Sequence, residues 1–311
     1  MTVMLQYLII LLDDTSTSFC HYKNPIIERY LIPIETLRQG IRFGMMENLM
    51  IQFVYPDYEL PSEYQEAIES IDHSKIKPHK EDADVWVTDK VESISSDIPV
   101  VLRINKESLF AHEQEISEAI EMVSRLNIVL TDVESFTEED FARYKSLLGK
   151  LSASLEQLYV AGKTPQLNLL TDRMMLKQMN NCGAGDTTIT LAPNGKFYIC
   201  PAFYYEDDAD SIGDLEHGLD IKNKQLYRLD HAPICSHCDA WQCKRCIWLN
   251  RKTTLEVNTP SHEQCVLAHL ERNASRELLN NIRKHGTFLP EQEEIKEIDY
   301  LDPFDNREEW Q

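Results

Sequence analysis

Residues 182–200 read CGAGDTTITLAPNGKFYIC, and residues 235–246 read CSHCDAWQCKRC. In the first stretch Thr187–Leu191, the Asn194–Gly195 turn and Lys196–Ile199 spell a β-hairpin bracketed by two cysteines. The second stretch packs two Cys-x-x-Cys knuckles four residues apart, and Cys265 follows after eighteen more. Seven of the chain's eight cysteines therefore fall between Cys182 and Cys265. Thiolates two residues apart grip one metal centre from a single turn, while the remaining ligands return from elsewhere in the chain. A zinc ribbon separates its knuckles by about 15–20 residues so that they face each other. Knuckles four residues apart, and seven cysteines in all, suit iron–sulfur ligation better, with zinc and redox thiols as the alternatives.

The remaining composition bounds the function. The chain has 311 residues, 42 % hydrophobic and 27 % charged, the mix of a folded globular protein. Acids outnumber bases 52 to 31, giving a net charge of −21. That balance argues against nucleic-acid or anionic-membrane partners, since both rest on lysine and arginine. Val3–Leu12 is an apolar run of ten residues, too short for a membrane helix and without a basic flank, and reads as a buried strand. A cytosolic location is expected, where clustered cysteines bind metal more often than they form disulfides.

Upstream of the cysteines, short apolar runs alternate with amphipathic stretches. Strands are predicted at Leu5–Leu12, Leu49–Val54, Val85–Val87, Val100–Ile104, Asn127–Leu130 and Gln166–Leu170. Helices are predicted at Ile34–Met46, Glu63–Ile71, Glu113–Leu126 and Thr137–Leu148, the last opening on a capping signal. This alternation predicts βαβ units and a parallel sheet, either a partial α/β barrel or an open doubly wound sheet. A final helix is expected over Cys265–Lys284. Residues 286–311 carry nine acids and two bases and read as a solvated acidic tail. The expected division is a barrel over 1–175, a cysteine-rich domain over 176–285 and the tail over 286–311.

Cys182-x12-Gly195-x4-Cys200, the close quartet and Cys265 resemble the SPASM domain of radical SAM peptide-modifying enzymes, departing from its pattern by one residue in three spacings. The resemblance implies two auxiliary [4Fe–4S] clusters. One would be held by Cys235, Cys238, Cys243 and Cys265, the other by Cys182, Cys200 and Cys246. Family members with full ligation carry a further cysteine about six residues after the first, where this chain has Thr187 and Thr188. The fourth iron of that cluster would fall to Asp186 or another side chain, to water, or to an incoming thiolate, and is then an open site.

A radical SAM barrel also carries Cys-x3-Cys-x2-Cys after its first strand. Here that loop reads DDTSTSFCHYKNPII, with Cys20 alone and Asn24 and Ile27 at the other two positions. No Gly-Gly-Glu-like element follows the second strand, which reads on as Tyr55-Pro56-Asp57. LLDDTSTSFCHY and ENLMIQFVYPDYELP resemble the CXXX repeat peptide maturase family. The fold so implied is α/β: a degenerate partial (β/α)6 radical SAM-like barrel followed by a small cysteine-rich SPASM-like iron–sulfur domain. No S-adenosylmethionine site is expected. The implied role is accessory maturation of a ribosomally made Cys-x-x-x repeat peptide beside a true radical SAM enzyme, with the cysteine-rich precursor peptide as the second partner. The alternative is a zinc-stabilised binding module without a redox role.

Other residues weigh less. Cys20 and His21 are neighbours, but adjacent side chains on extended backbone point to opposite faces, which favours a structural Cys20 over a nucleophile. Thr15–Ser18 read as a polar loop at a strand's C-terminal end, where α/β barrels bind ligands. His217, His231, His237, His262 and His269 are further candidate ligands. Trp241 and Trp248 are expected to shield the clusters. Lys244 and Arg245 are expected to balance their charge, in a segment 235–284 with eight bases and five acids.

Overall fold

The computed structural model describes residues 5–92, 94–176, 181–240 and 246–292. In chain order its elements are β1 (Tyr7–Leu11), α1 (Ile34–Met46), β2 (Met50–Val54), α2 (Ser62–Glu69), β3 (His73–Lys77), β4 (Val85–Thr88), β5 (Val100–Ile104), α3 (Lys106–Ala111), α4 (Glu113–Glu121), β6 (Arg125–Leu130), α5 (Glu138–Val160), β7 (Gln166–Leu167), α6 (Thr171–Met175), β8 (Thr188–Leu191), β9 (Phe197–Tyr198), α7 (Pro201–Glu206), β10 (Gly213–Asp214), β11 (Gly218–Leu219), α8 (Ile247–Thr254) and α9 (His262–Lys284). Two compact units result: Met1–Thr88 with Cys182–His231, and Asp89–Asn181 with Ala232–Gln311.

In the first unit the strand order is β4-β3-β2-β1-β8-β9. β1 pairs in parallel with β2 along one edge and with β8 along the other, Ile10 lying opposite both Phe53 and Leu191. The hairpin partner β9 runs antiparallel to β8, as the Asn194–Gly195 turn predicts. Gly195 takes φ 79°, the left-handed conformation that such a turn needs. Leu8, Ile10, Leu11 and Leu12 are fully buried, which is why ten apolar residues follow one another without alternation. Helix α1 turns Leu37, Gly40, Ile41 and Gly44 inward. A Cβ at Gly44 would come within 2.9 Å of Ile51 Cγ1 and 3.2 Å of Leu8 Cδ2, so glycine sets how close the helix lies to β1 and β2.

Strand β3 lies outside the sequence expectation. Its residues, HSKIK, carry too much polarity to read as buried. Lys75 is nevertheless 8 % exposed. Its ammonium bonds to Glu69 at 2.5 Å and Asp82 at 2.8 Å, and its amide donates to Asp84 Oδ2 at 2.7 Å. Burial opposes the charge, but these carboxylates outweigh it and hold the lysine pKa above the ordinary range.

In the second unit β5, β6 and β7 form a parallel ladder. The helix expected over Glu113–Leu126 ends at Glu121, because Leu126 pairs with Val100 in the β5–β6 ladder and Val123 bridges to Ser96. The expected strand over Gln166–Leu170 is shortened to the paired residues Gln166 and Leu167. Beyond it the Asn168 side chain continues the ladder, accepting from Ile128 N and donating to Ile128 O. Helix α5 opens with the Thr137–Asp140 capping box and runs to Val160, past the expected Leu148. It packs along α9, tied by a Tyr144–Glu271 hydrogen bond of 2.7 Å. Among the described residues no helix is long and apolar enough to cross a membrane.

Two glycines separate packing from propensity. Gly44→Val is expected to lower unfolding stability by about 1–3 kcal/mol through overpacking. Gly149→Ala, on α5 with no atom within 4 Å of a new Cβ, is expected to raise it by about 0.5–1 kcal/mol. Denaturant unfolding of both variants checks the contrast.

Candidate metal centre

The seven described cysteines are not bridged to one another, and they divide between the units. Cys20, Cys182 and Cys200 belong to the first. Cys235, Cys238, Cys246 and Cys265 belong to the second. Cys243 lies outside the described residues, as do Trp241, Lys244 and Arg245 and the side chain of His237.

In the first unit the hairpin carries the site. Cys182 is exposed and opens a tight turn. Gly183 at φ 68° and Gly185 at φ 77° bend that turn back, and Thr188 Oγ1 donates to Cys182 O at 3.1 Å. Asp186 lies in the same turn, and its Oδ1 is buried with no hydrogen-bond partner. After β9 the chain reaches Cys200, the N-cap residue of α7. Burial pushes the Cys200 thiol well above its ordinary pKa, and the neighbouring Cys182 and Cys20 thiols push it further. The hairpin and its flanks thus carry an orphaned carboxylate oxygen and two cysteines, one exposed and one half-buried.

In the second unit Cys265 stands in the first turn of α9. Cys235 and Cys265 are buried, and Cys238 packs on Ala240 and Ala268. Cys238 Sγ accepts from Ala240 N at 3.4 Å and lies 3.7 Å from His269 Nε2. Two buried arginines stand behind it. Arg272 pairs with Asp239 at 2.9 Å, and Arg173 donates to Asp239 O at 2.5 Å. Burial lowers the Arg173 pKa to about 10, with Asp239 opposing. Burial raises the Cys238 pKa, while the Ala240 amide, Arg272 and Arg173 oppose the rise. Amide, imidazole and guanidinium groups around sulfur stabilise thiolate, the form a metal binds. Cys246 is the N-cap residue of α8, its Sγ accepting from Leu249 N at 3.5 Å.

Among the described residues no three His, Cys, Asp or Glu side chains stand close enough to hold a single metal ion.

The remaining sequence candidates are placed as follows. His217 bonds to Asp214 and His231 to Asp230, both at the surface. His262 stands edge-on to Phe141. Lys252 lies over the Trp248 ring at 5.2 Å. In the Thr15–Ser18 loop, Thr15 bonds to Asp13, Ser16 donates to Val54 O and Ser18 accepts from Asn24 N. Asn24 also donates to Asp14 O and Ser16 O and accepts from Ile26 N. The residue where a radical SAM motif has its second cysteine is thus a clamp that shapes the loop. Ile27, at the third position, is 90 % exposed. These residues do not fit a catalytic cluster that binds S-adenosylmethionine.

A feature not anticipated is a cavity of about 540 Å³ beyond the C-terminal ends of β2 and β3. Its lining includes Tyr55, Tyr58, Leu60, Lys77, His79 and Asp82. The YPDYELP wording after β2 was the only sequence signal for it.

No family model and no curated protein matches the sequence. Solved structures do. Native anSMEcpe with bound AdoMet and Cp18Cys peptide is similar over 90 % of this chain and 99 % of its own, at 12 % identity and a TM-score of 0.63. Native anSMEcpe with bound AdoMet and Kp18Cys peptide covers 89 % and 99 %, at 11 % identity and 0.63. Streptococcus suis SuiB bound to precursor peptide SuiA covers 76 % and 66 %, at 12 % identity and 0.40. At these identities the likeness is one of fold: the chain has a radical SAM-like α/β fold.

The two hairpin cysteines are chemically distinct. In metal-free protein at pH 8, iodoacetamide is expected to label Cys182 faster than Cys200 by on the order of tenfold or more, because only thiolate reacts. Peptide mapping by mass spectrometry after timed labelling gives the two rates.

Proposed function

We propose that this chain is an accessory protein in the maturation of a ribosomally made, cysteine-rich peptide, of the Cys-x-x-x repeat type that the sequence resemblance implies. It works beside a radical SAM enzyme, binding the precursor and relaying electrons through auxiliary [4Fe–4S] clusters. One observation carries the reading. On a fold shared over 90 % of the chain with AdoMet-bound and peptide-bound anSMEcpe, the loop after β1 keeps one cysteine and fills the next motif position with the Asn24 clamp, while seven cysteines remain downstream. A chain that had lost all cluster chemistry would have no reason to keep donors aimed at Cys238 Sγ.

Cys235, Cys238, Cys243 and Cys265 would hold one cluster, and Cys182, Cys200 and Cys246 the other. Bound there, the clusters would supply one-electron transfer. The chain's own residues would tune that capacity: the Ala240 amide donates to a ligand sulfur, the His269 ring lies beside it, and Arg173 and Arg272 offset thiolate charge. The cavity beside β2 and β3, with aromatic, cationic and acidic walls, would take a segment of the precursor. The location in this reading is the cytosol.

Zinc is the second reading, and one contact favours it. His269 lies one helical turn after Cys265 and 3.7 Å from Cys238 Sγ, as an imidazole ligand of a Cys3His site would.

The division of labour has a direct test. With dithionite and S-adenosylmethionine, the iron-loaded chain alone is expected to form no 5′-deoxyadenosine above the protein-free control. Formation of one or more equivalents per chain would overturn it. Chromatography of the quenched reaction reads either result.

A further inference from the structure

We propose that the cavity beyond β2 and β3 binds a basic peptide segment, one that carries lysine or arginine. The proposal rests on the reading above, in which this cavity takes part of the precursor, and names the side-chain class it selects. Its lining comes from residues 55–82, all within the first unit. Its volume of about 540 Å³ is that of a small-ligand pocket, which suits a short extended segment rather than a folded partner.

The lining divides by polarity. Tyr55, Pro56 and Leu60 are buried, whereas Glu59, Glu69, Glu81 and Asp82 are exposed. Those acids stand against two basic side chains of the lining, Lys77 and His79. Both bases are already engaged. Lys77 bonds to Asp82 at 3.1 Å and lies over the Tyr55 ring at 4.8 Å, and His79 bonds to Asp57. Lys75, behind the lining, holds Glu69 and Asp82. An anionic ligand would have to break one of these pairs.

A cationic ligand meets no such obstacle. Among the described residues no ion pair reaches the carboxylates of Glu59 and Glu81, which leaves both to an incoming charge. A metal ion is the poorer candidate, because among the described residues no three acids, histidines or cysteines stand close enough to share one. Lysine and arginine suit both parts of the lining. Their apolar stems cover apolar surface while the charged heads reach exposed carboxylates. The chain already makes such a contact with itself, since Arg29 lies over the Tyr58 ring at 4.2 Å.

The test uses the full chain at about 0.15 M salt and capped peptides of one length, alternating alanine with lysine, with glutamate or with serine. Fluorescence anisotropy gives the affinities, and hydrogen exchange locates the site. The lysine peptide is expected to bind about tenfold more tightly than the other two and to slow exchange over 55–60 and 77–82. Glu59→Gln combined with Glu81→Gln is expected to weaken it by about five- to tenfold, the loss of two exposed ion pairs. Glu47→Gln combined with Glu121→Gln removes the same charge outside the cavity lining and is expected to change the affinity by less than about twofold. Equal weakening by both pairs would overturn the proposal, since binding would then follow the net charge of −21. Equal slowing over 55–60 and 77–82 by all the peptides would overturn the basic selectivity and leave the cavity as a peptide site. If no peptide slows exchange there, the cavity reading fails together with the proposal.

Discussion

Strand β1 is hydrogen-bonded along both edges, to β2 on one side and β8 on the other. A strand so placed must be apolar on both faces, and Leu8, Ile10, Leu11 and Leu12 meet that demand with complete burial. Its second consequence is positional. The loop leaving β1 and the hairpin built on β8 belong to one compact unit although their sequences lie far apart. Asp13, fully buried, then organises the loop. It accepts from Thr15 and from Tyr58, while its amide donates to Ser16 Oγ. The loop after β1 is thus held as a folded turn by Asp13 and Asn24.

The second unit solves a different problem, the burial of charge around sulfur. Arg173 and Arg272 are both buried, an arrangement that costs more than it returns unless each charge is met. Asp239 meets them, with its carboxylate for Arg272 and its carbonyl for Arg173. Asp239 is thus shared between the two arginines beside Cys238.

Much of this was legible in the sequence. Strands β2, β4 and β5 stand where apolar runs placed them, and the hairpin followed from Asn194–Gly195 between two alternating runs. Where the reading failed, tertiary partners had replaced local signals. Strand β3 reads as polar because Lys75 depends on Glu69 and Asp82, which lie outside the strand. The helix predicted to Leu126 stops early because a ladder with β5 outbids helical periodicity. The hydroxyls of Thr15, Ser16 and Ser18 bond to Asp13, Val54 and Asn24, contacts that are made only in the folded chain. Asn24 carried no signal of its role, because its clamp bonds are made only in the folded chain. The arginine pair behind Cys238 was invisible for the same reason, Arg173 and Asp239 being 66 residues apart.

The central claim is that the retained cysteines hold iron–sulfur clusters rather than zinc. The most direct test is iron, acid-labile sulfide and zinc per chain after anaerobic purification, read beside the visible absorption spectrum. The account predicts about eight irons with matching sulfide and a broad charge-transfer absorption. Stoichiometric zinc, with neither sulfide nor visible absorption, would contradict it.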